Sequence, residues 1–276
     1  MRSIPKIAHL VWFGDQSMPM INVFTIISFH RLNPDWEIKV YTSKQGNKDF
    51  GTLEWIPPYI GNDCFPLIRA MEFVQIIEVD LKDFDCPVHA HVIAMTDVFR
   101  QQILFKEGGI YSDFDVIWLR PMEYFTKLDC LGNTDDFQCT ISYYNLTDGH
   151  HNVSNIVAEK GNKFMEYTLA KCAEVEAPYS HQAFGTDMFN RLFPKQKNIE
   201  QQFDRMLYLR YETFFPYGIY NLIDLFQRDD ITPAYADNVM AVHWFGGHPY
   251  AHAYIDGNGF ERKCSMTSIL KKEGLI

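Results

Sequence analysis

The sequence predicts an α/β fold opening on a βαβ unit, and three observations carry that prediction. Ile7–Phe13 is a nearly continuous apolar run ending in Gly14-Asp15, the pattern of a parallel strand buried on both faces and leading into a loop. Pro19 opens a helical stretch over about Ile21–Arg31. After the turn residues Asn33-Pro34-Asp35, Glu37–Tyr41 alternates polar and apolar residues as a strand does. Strand, helix and strand in this order are the usual beginning of a nucleotide-binding sheet.

The next elements are read in order. Ser43 to about Ile60 is loop-rich, with Gly46, Gly51 and Pro57-Pro58, and Leu67–Val79 is expected to be helical. Asp80–Pro87 is an acidic break before a helix over Ala94–Leu104, where Met95, Val98, Phe99 and Ile103 form an apolar stripe. Asp97 and Arg100, three apart, are neighbours on another face. Gly108 or Gly109 supplies a left-handed cap. Ile110–Leu119 then reads as one strand, with Tyr111, Asp113, Asp115 and Ile117 on one face. Beyond Phe125 the pattern predicts a strand at Phe137–Tyr143, helices at Lys163–Val175 and Thr186–Leu192, and an aromatic turn at Phe214-Phe215-Pro216. A strand at Val239–Phe245 leads into Gly246-Gly247. The expected organisation is a single unit over residues 1–276, with a nucleotide half (1–125) and an acceptor half (126–276).

Composition narrows the function classes. At 276 residues the chain can bury a sizeable core, and a formal charge of −10 argues against a nucleic-acid partner, which needs a clustered basic face. The most apolar later run, Met20–Phe29, contains Asn22, Thr25 and Ser28, and a span needs ~20 apolar residues, so no integral membrane segment is expected. The opening residues read as a strand and not as a leader. Six scattered cysteines without a CxxC pair suggest reduced thiols and a cytoplasmic protein.

The chemistry centres on Asp113-Phe114-Asp115. Such a triplet arises often by chance, and exposed acidic pairs are usually just solvated. Its context raises it: both carboxylates share a face at the end of a strand, where α/β sheets bind ligands. Mg²⁺ or Mn²⁺ is held by one or two carboxylates while substrate phosphates complete the shell, so the pair suits a cation gripping a diphosphate. Asp97 and Arg100 alone would be an i,i+3 ion pair worth ~0.2–0.5 kcal/mol. Beside the acidic pair they become candidates to bind hydroxyls and diphosphate, Arg100 through its guanidinium fork. Trp12, with Phe13 beside it, ends the first strand; it is either core or a platform on which a base stacks, worth ~1–3 kcal/mol. His243 is a candidate third metal ligand through a neutral imidazole nitrogen. These readings point to a transferase using a sugar nucleotide.

The segment Ala94–Met122 resembles the signature of the family 32 glycosyltransferases, the DXD sugar-binding group, which is similar to the catalytic domain of the large clostridial glucosylating toxins. The residues that carry the resemblance are Ala94, Thr96-Asp97, Arg100, Leu104 and Gly108-Gly109-Ile110-Tyr111-Ser112-Asp113-Phe114-Asp115, with Ile4–His9, Val11–Gly14 and Asn33–Trp36 upstream. The resemblance implies a GT-A type fold with a mixed, mostly parallel central sheet flanked by helices. It implies transfer of a hexose from a nucleotide sugar with retention, dependent on Mn²⁺ or Mg²⁺, UDP-hexose being favoured over GDP-mannose. Trp12 would stack on uracil, Asp97 and Arg100 would hold the donor ribose and sugar, and Phe13 and Tyr111 would belong to the same donor-binding set. Asp115 would bind the metal, with Asp113 bridging metal and donor. The acceptor is a glycan, a lipid-linked sugar or a protein. The family's Gly-Pro element has its nearest counterpart in Gly185-Thr186-Asp187, where the proline is missing. The competing readings are a sugar-nucleotide hydrolase and a catalytically silent binding domain.

Overall fold

The computed structural model describes residues 4–44, 59–84, 92–128, 137–143, 151–176, 182–195, 198–199 and 201–276. Its first elements follow the sequence closely: β1 (Ile7–Phe13), α1 (Met20–Leu32, entered from Pro19) and β2 (Glu37–Ser43). Residues 45–58 and 85–91, which include most of the expected loop and part of the acidic break, lie outside the described residues.

Leu67–Val79 is not one helix. A short helix α2 (Phe65–Arg69) stops, and Val74–Glu78 forms β3, pairing in parallel with β2 from Ile38↔Val74 to Thr42↔Glu78. The β-branched residues Val74, Ile76 and Ile77 suit a pleated surface, and the open edge of β2 offers them a ladder that a helix cannot.

Helix α3 (Val92–Glu107) ends at the double glycine. Gly108 has φ +73° and donates its N–H to the Leu104 carbonyl at 2.9 Å, capping the helix. Gly109 has φ +101°, and a Cβ there would lie 2.3 Å from the Ile7 carbonyl oxygen. Both positions therefore require glycine, the second so that β4 (Gly109–Ser112) can lie against β1.

The rest of the sheet is built from short strands: β5 (Val116–Trp118), β6 (Cys139–Tyr143), β7 (His151–Asn152), β8 (Asn155–Ala158), β9 (Met206–Arg210) and β10 (Ala241–His243). The main sheet runs β3-β2-β1-β4-β8-β6-β7, with β9 alongside β6. Pairings are parallel from β3 through β4 and again at β6–β9, and antiparallel at β4–β8, β8–β6 and β6–β7. A separate ribbon joins β5 and β10. Further helices among the described residues are α4 (Lys163–Cys172), α5 (Thr186–Leu192), α6 (Leu222–Phe226), α7 (Pro249–Asp256) and α8 (Ser265–Lys272).

Apolar layers cover both faces of the sheet. From β1, Val11 and Phe13 enter a core with α3, while Ala8 and Leu10 enter another with α1. This period-two division explains why β1 is apolar almost throughout. No helix among the described residues is long and apolar enough to cross a membrane. Among the described residues, Cys64, Cys139 and Cys264 are free thiols.

His9 interrupts the apolar run of β1 and is fully buried. Its Nδ1 lies 3.0 Å from the Tyr41 hydroxyl and its Nε2 2.8 Å from the Gly108 carbonyl, so the ring ties β1 to β2 and to the α3 cap. Burial pulls the imidazole down to about 4 against the raising pull of the Gly108 carbonyl. The folded chain thus keeps His9 neutral where the unfolded chain, near 6.5, takes up a proton. Stability from this group is fully present above pH 6.5 and is lost as pH falls toward 4. The loss amounts to about 3 kcal/mol. His9→Gln should flatten this limb, and urea unfolding of both proteins at pH 7 and pH 4.5 measures the difference.

Candidate active site

The predicted strand Ile110–Leu119 is broken, and the break makes the site. β4 stops where the Asp113 N–H meets the Ser154 carbonyl at 2.9 Å. The chain then leaves the main sheet and re-forms as β5 against β10. The Phe114 carbonyl accepts from Thr25 Oγ1 at 2.6 Å and from Asn22 Nδ2 at 3.1 Å. The Val116 N–H reaches Thr25 Oγ1 at 3.4 Å, and the Trp118 N–H donates to Ser28 Oγ at 3.1 Å. Asn22, Thr25 and Ser28 recur every three residues and so share one face of α1. All three are buried. The polar residues that break the apolar run of α1 therefore satisfy backbone groups along the broken strand.

With Phe114 buried, Asp113 and Asp115 both face a cavity of about 360 Å³ at the carboxyl end of the sheet. The β5–β10 register sets His243 opposite Val116, and His243 Nε2 lies 3.1 Å from Asp115 Oδ1 and 3.9 Å from Asp113 Oδ2. The second Asp115 oxygen accepts the Gly246 N–H at 2.8 Å, and the Asp115 carbonyl accepts the Trp244 N–H at 2.9 Å. Phe245 between them has φ +52°, a left-handed turn costly for a residue with a Cβ. Burial lowers the His243 imidazole's proton affinity, but the Asp115 and Asp113 carboxylates outweigh this and hold it at about 9. Burial raises Asp115, yet His243 and the Gly246 N–H bring it below the usual carboxylate range. Asp115 and His243 thus each favour the charged form of the other.

Arg100 stands on the other side. Its Nη2 lies 2.8 Å from Asp97 Oδ1 and 3.6 Å from Asp113 Oδ1, and its Nη1 donates to the Val153 carbonyl at 2.6 Å. The guanidinium also lies 4.4 Å from the centre of the Tyr111 ring, whose hydroxyl donates to Asp113 Oδ1 at 2.6 Å. Burial raises Asp97 to about 7 despite the opposing pull of Arg100, with Asp113 and Asp187 adding to the rise.

Of the residues singled out in the sequence, Trp12, Phe13, Arg100, Tyr111, Asp113 and Asp115 line the cavity. Asp97 and His243 are buried behind its wall, each paired with a residue that lines it. Trp12 meets Phe114 edge-on at 5.5 Å and is partly exposed. Sequence reasoning missed Gln16, Ser17, Tyr59, Ile93 and His252, which also line the cavity. None stands in a motif. The Gly246-Gly247 pair was visible as a strand end, and its place beside Asp115 required the fold.

An α/β sheet carrying an acidic pair at the carboxyl end of β4, beside a cleft walled by the first strand and by α3, has the architecture of the GT-A type fold. Residues 22–138 match the family described as "Glycosyltransferase sugar-binding region containing DXD motif". Among solved structures the chain is similar to the WbbM bifunctional glycosyltransferase, at 14% identity and a TM-score of 0.50, covering 98% of this chain and 51% of that one. It is also similar to the galactosyltransferase LgtC bound to donor and acceptor sugar analogues (14% identity, TM-score 0.48, 98% of this chain and 96% of that one). A third is the PaToxG glycosyltransferase (18% identity, TM-score 0.47, 72% and 74%). No curated protein matches the chain.

Thr25→Val should cost about 1–3 kcal/mol, because the Val116 N–H loses its hydroxyl partner and the Phe114 carbonyl keeps only Asn22. Thr25→Ser should recover most of the loss, as measured by denaturant midpoints of the three proteins.

Proposed function

We propose that the protein transfers a hexose from a nucleotide sugar, UDP-linked in preference to GDP-linked, to a glycan, lipid-linked sugar or protein acceptor, with retention and with a divalent cation. The observation that carries the cation is the meeting of Asp113, Asp115 and His243, whose ligand atoms all lie within 4.8 Å of one another at the cavity wall. Two carboxylate oxygens and an imidazole nitrogen are a donor set suited to Mn²⁺ and acceptable to Mg²⁺. When bound, the cation supplies positive charge and Lewis acidity to the diphosphate oxygens of the leaving group.

The chain's own residues do the rest. Trp12 and Phe13 border the cavity beside Gln16 and offer a flat face to the base. Arg100, fixed by Asp97, the Val153 carbonyl and the Tyr111 ring, presents a guanidinium whose orientation is set before the donor arrives. Gly246 and Gly247 bring bare backbone to the wall next to Asp115, where a diphosphate can approach closely. The acceptor is assigned to the side formed by residues 126–276. Retention follows from the family resemblance.

Nucleotide release from a panel of UDP-hexoses and GDP-mannose, with Mn²⁺ or EDTA and with or without acceptors, tests this reading. Release that needs both metal and acceptor is expected. Release without acceptor marks a hydrolase, and no release from any donor marks a silent binding domain. Asp115→Asn should fold near normally and abolish metal-dependent turnover; unchanged turnover refutes the metal assignment. Trp12→Ala should raise the donor dissociation constant about tenfold, as loss of a base stack does. Calorimetric titration showing unaltered binding would make Trp12 merely core.

A further inference from the structure

The loop before α5 touches the site from behind. A Cβ built on Gly185 would lie 2.4 Å from Asp97 Oδ2, 2.7 Å from Cγ and 2.9 Å from Oδ1. The Asp97 carboxylate therefore occupies the space that a side chain at position 185 would take. The loop is held there by α3 itself. Gln101, buried one turn beyond Asp97, donates from Nε2 to the Asp97 carbonyl at 2.9 Å and to the Phe184 carbonyl at 2.8 Å. One amide nitrogen has two protons, and these two carbonyls use both. The Phe184–Gly185 peptide is thus pinned to the helix that carries Asp97. The carboxylate is confined between Gly185 on one side and Arg100 Nη2, at 2.8 Å, on the other.

We infer that Gly185 is a positioning residue. Its bare Cα, locked to α3 by Gln101, sets the Asp97 carboxylate and through it the Arg100 guanidinium that faces the donor. The inference rests on the donor reading above and adds where its precision comes from. A loop some 85 residues downstream of Arg100 in sequence gives the first half of the site its back wall.

Gly185→Ala and Gln101→Met test it, the first by filling the space and the second by cutting the tether without adding bulk. A crystal structure of Gly185→Ala should show the Asp97 carboxylate displaced by about 1 Å, the distance needed to restore ordinary contact, with its pair to Arg100 broken. In both variants kcat/KM for the nucleotide sugar should fall about 10- to 100-fold, as misplacement of this size does. The affinity for Mn²⁺ measured without nucleotide should stay within about twofold of wild type, because the proposed cation ligands Asp113, Asp115 and His243 include neither Asp97 nor Arg100, and a fold-wide defect would lower both alike. Asp97 and Arg100 unmoved in the crystal, or Mn²⁺ and UDP-sugar weakened together, would overturn the inference. Should Gly185→Ala not fold, Gln101→Met carries the same comparison. A wild-type protein that turns over no donor overturns the donor reading instead, and the crystal comparison then decides the positioning role.

Discussion

The site depends on one backbone carbonyl that the sheet cannot satisfy. At Phe114 the chain has left β4 and not yet entered the ribbon with β10. A buried carbonyl without a partner there would cost about 1–3 kcal/mol. Thr25 and Asn22 meet it from α1. Because both donors come from a helix packed under the break, the turn holding the two aspartates is set by tertiary packing and not by a loop's own preferences. The helix accepts three buried polar residues, and the sheet can therefore end one residue before the acidic pair.

Charge is arranged around that turn with little left unmatched. Asp113 and Asp115 sit between two cations drawn from distant parts of the chain, Arg100 on α3 and His243 on β10. Burial raises the Asp115 carboxyl, and the His243 imidazole beside it brings it below the usual carboxylate range. In a protein with a formal charge of −10 this is a local balance and not a general basic surface.

Much of the first half was legible. β1 and the start of β2 followed from apolar patterning and turn residues, and α1 ran only a residue beyond its expected bounds at either end. The long ordered string around Asp97–Asp115 marked residues that the fold brings together, Arg100, Tyr111, Asp113 and Asp115 at one cavity and Asp97 paired to Arg100. Three things were hidden for physical reasons. The polar residues of α1 are not at a helix face by hydrophobic pattern, because their partners are backbone groups some ninety residues away. Val74–Glu78 looked helical because its apolar content fits either period, and only the open edge of β2 decides for a strand. In the second half β7, β8 and β9 have two to five residues each, too short for a period to declare itself. The contact of Gly185 with Asp97 was equally silent, since a glycine shows that space is needed and not what fills it.

Asp115 is fastened to Gly246 across 131 positions of sequence, and that span governs when the site can exist during folding. Closing so long a loop is entropically unfavourable and slow relative to forming the first βαβ unit. On the ribosome, the two aspartates emerge well before the segment that clamps one of them, so a nascent chain carries an acidic hook without its latch. The candidate site is therefore completed late, when residues 241–246 dock, and a partly made chain lacks the wall that holds Asp115.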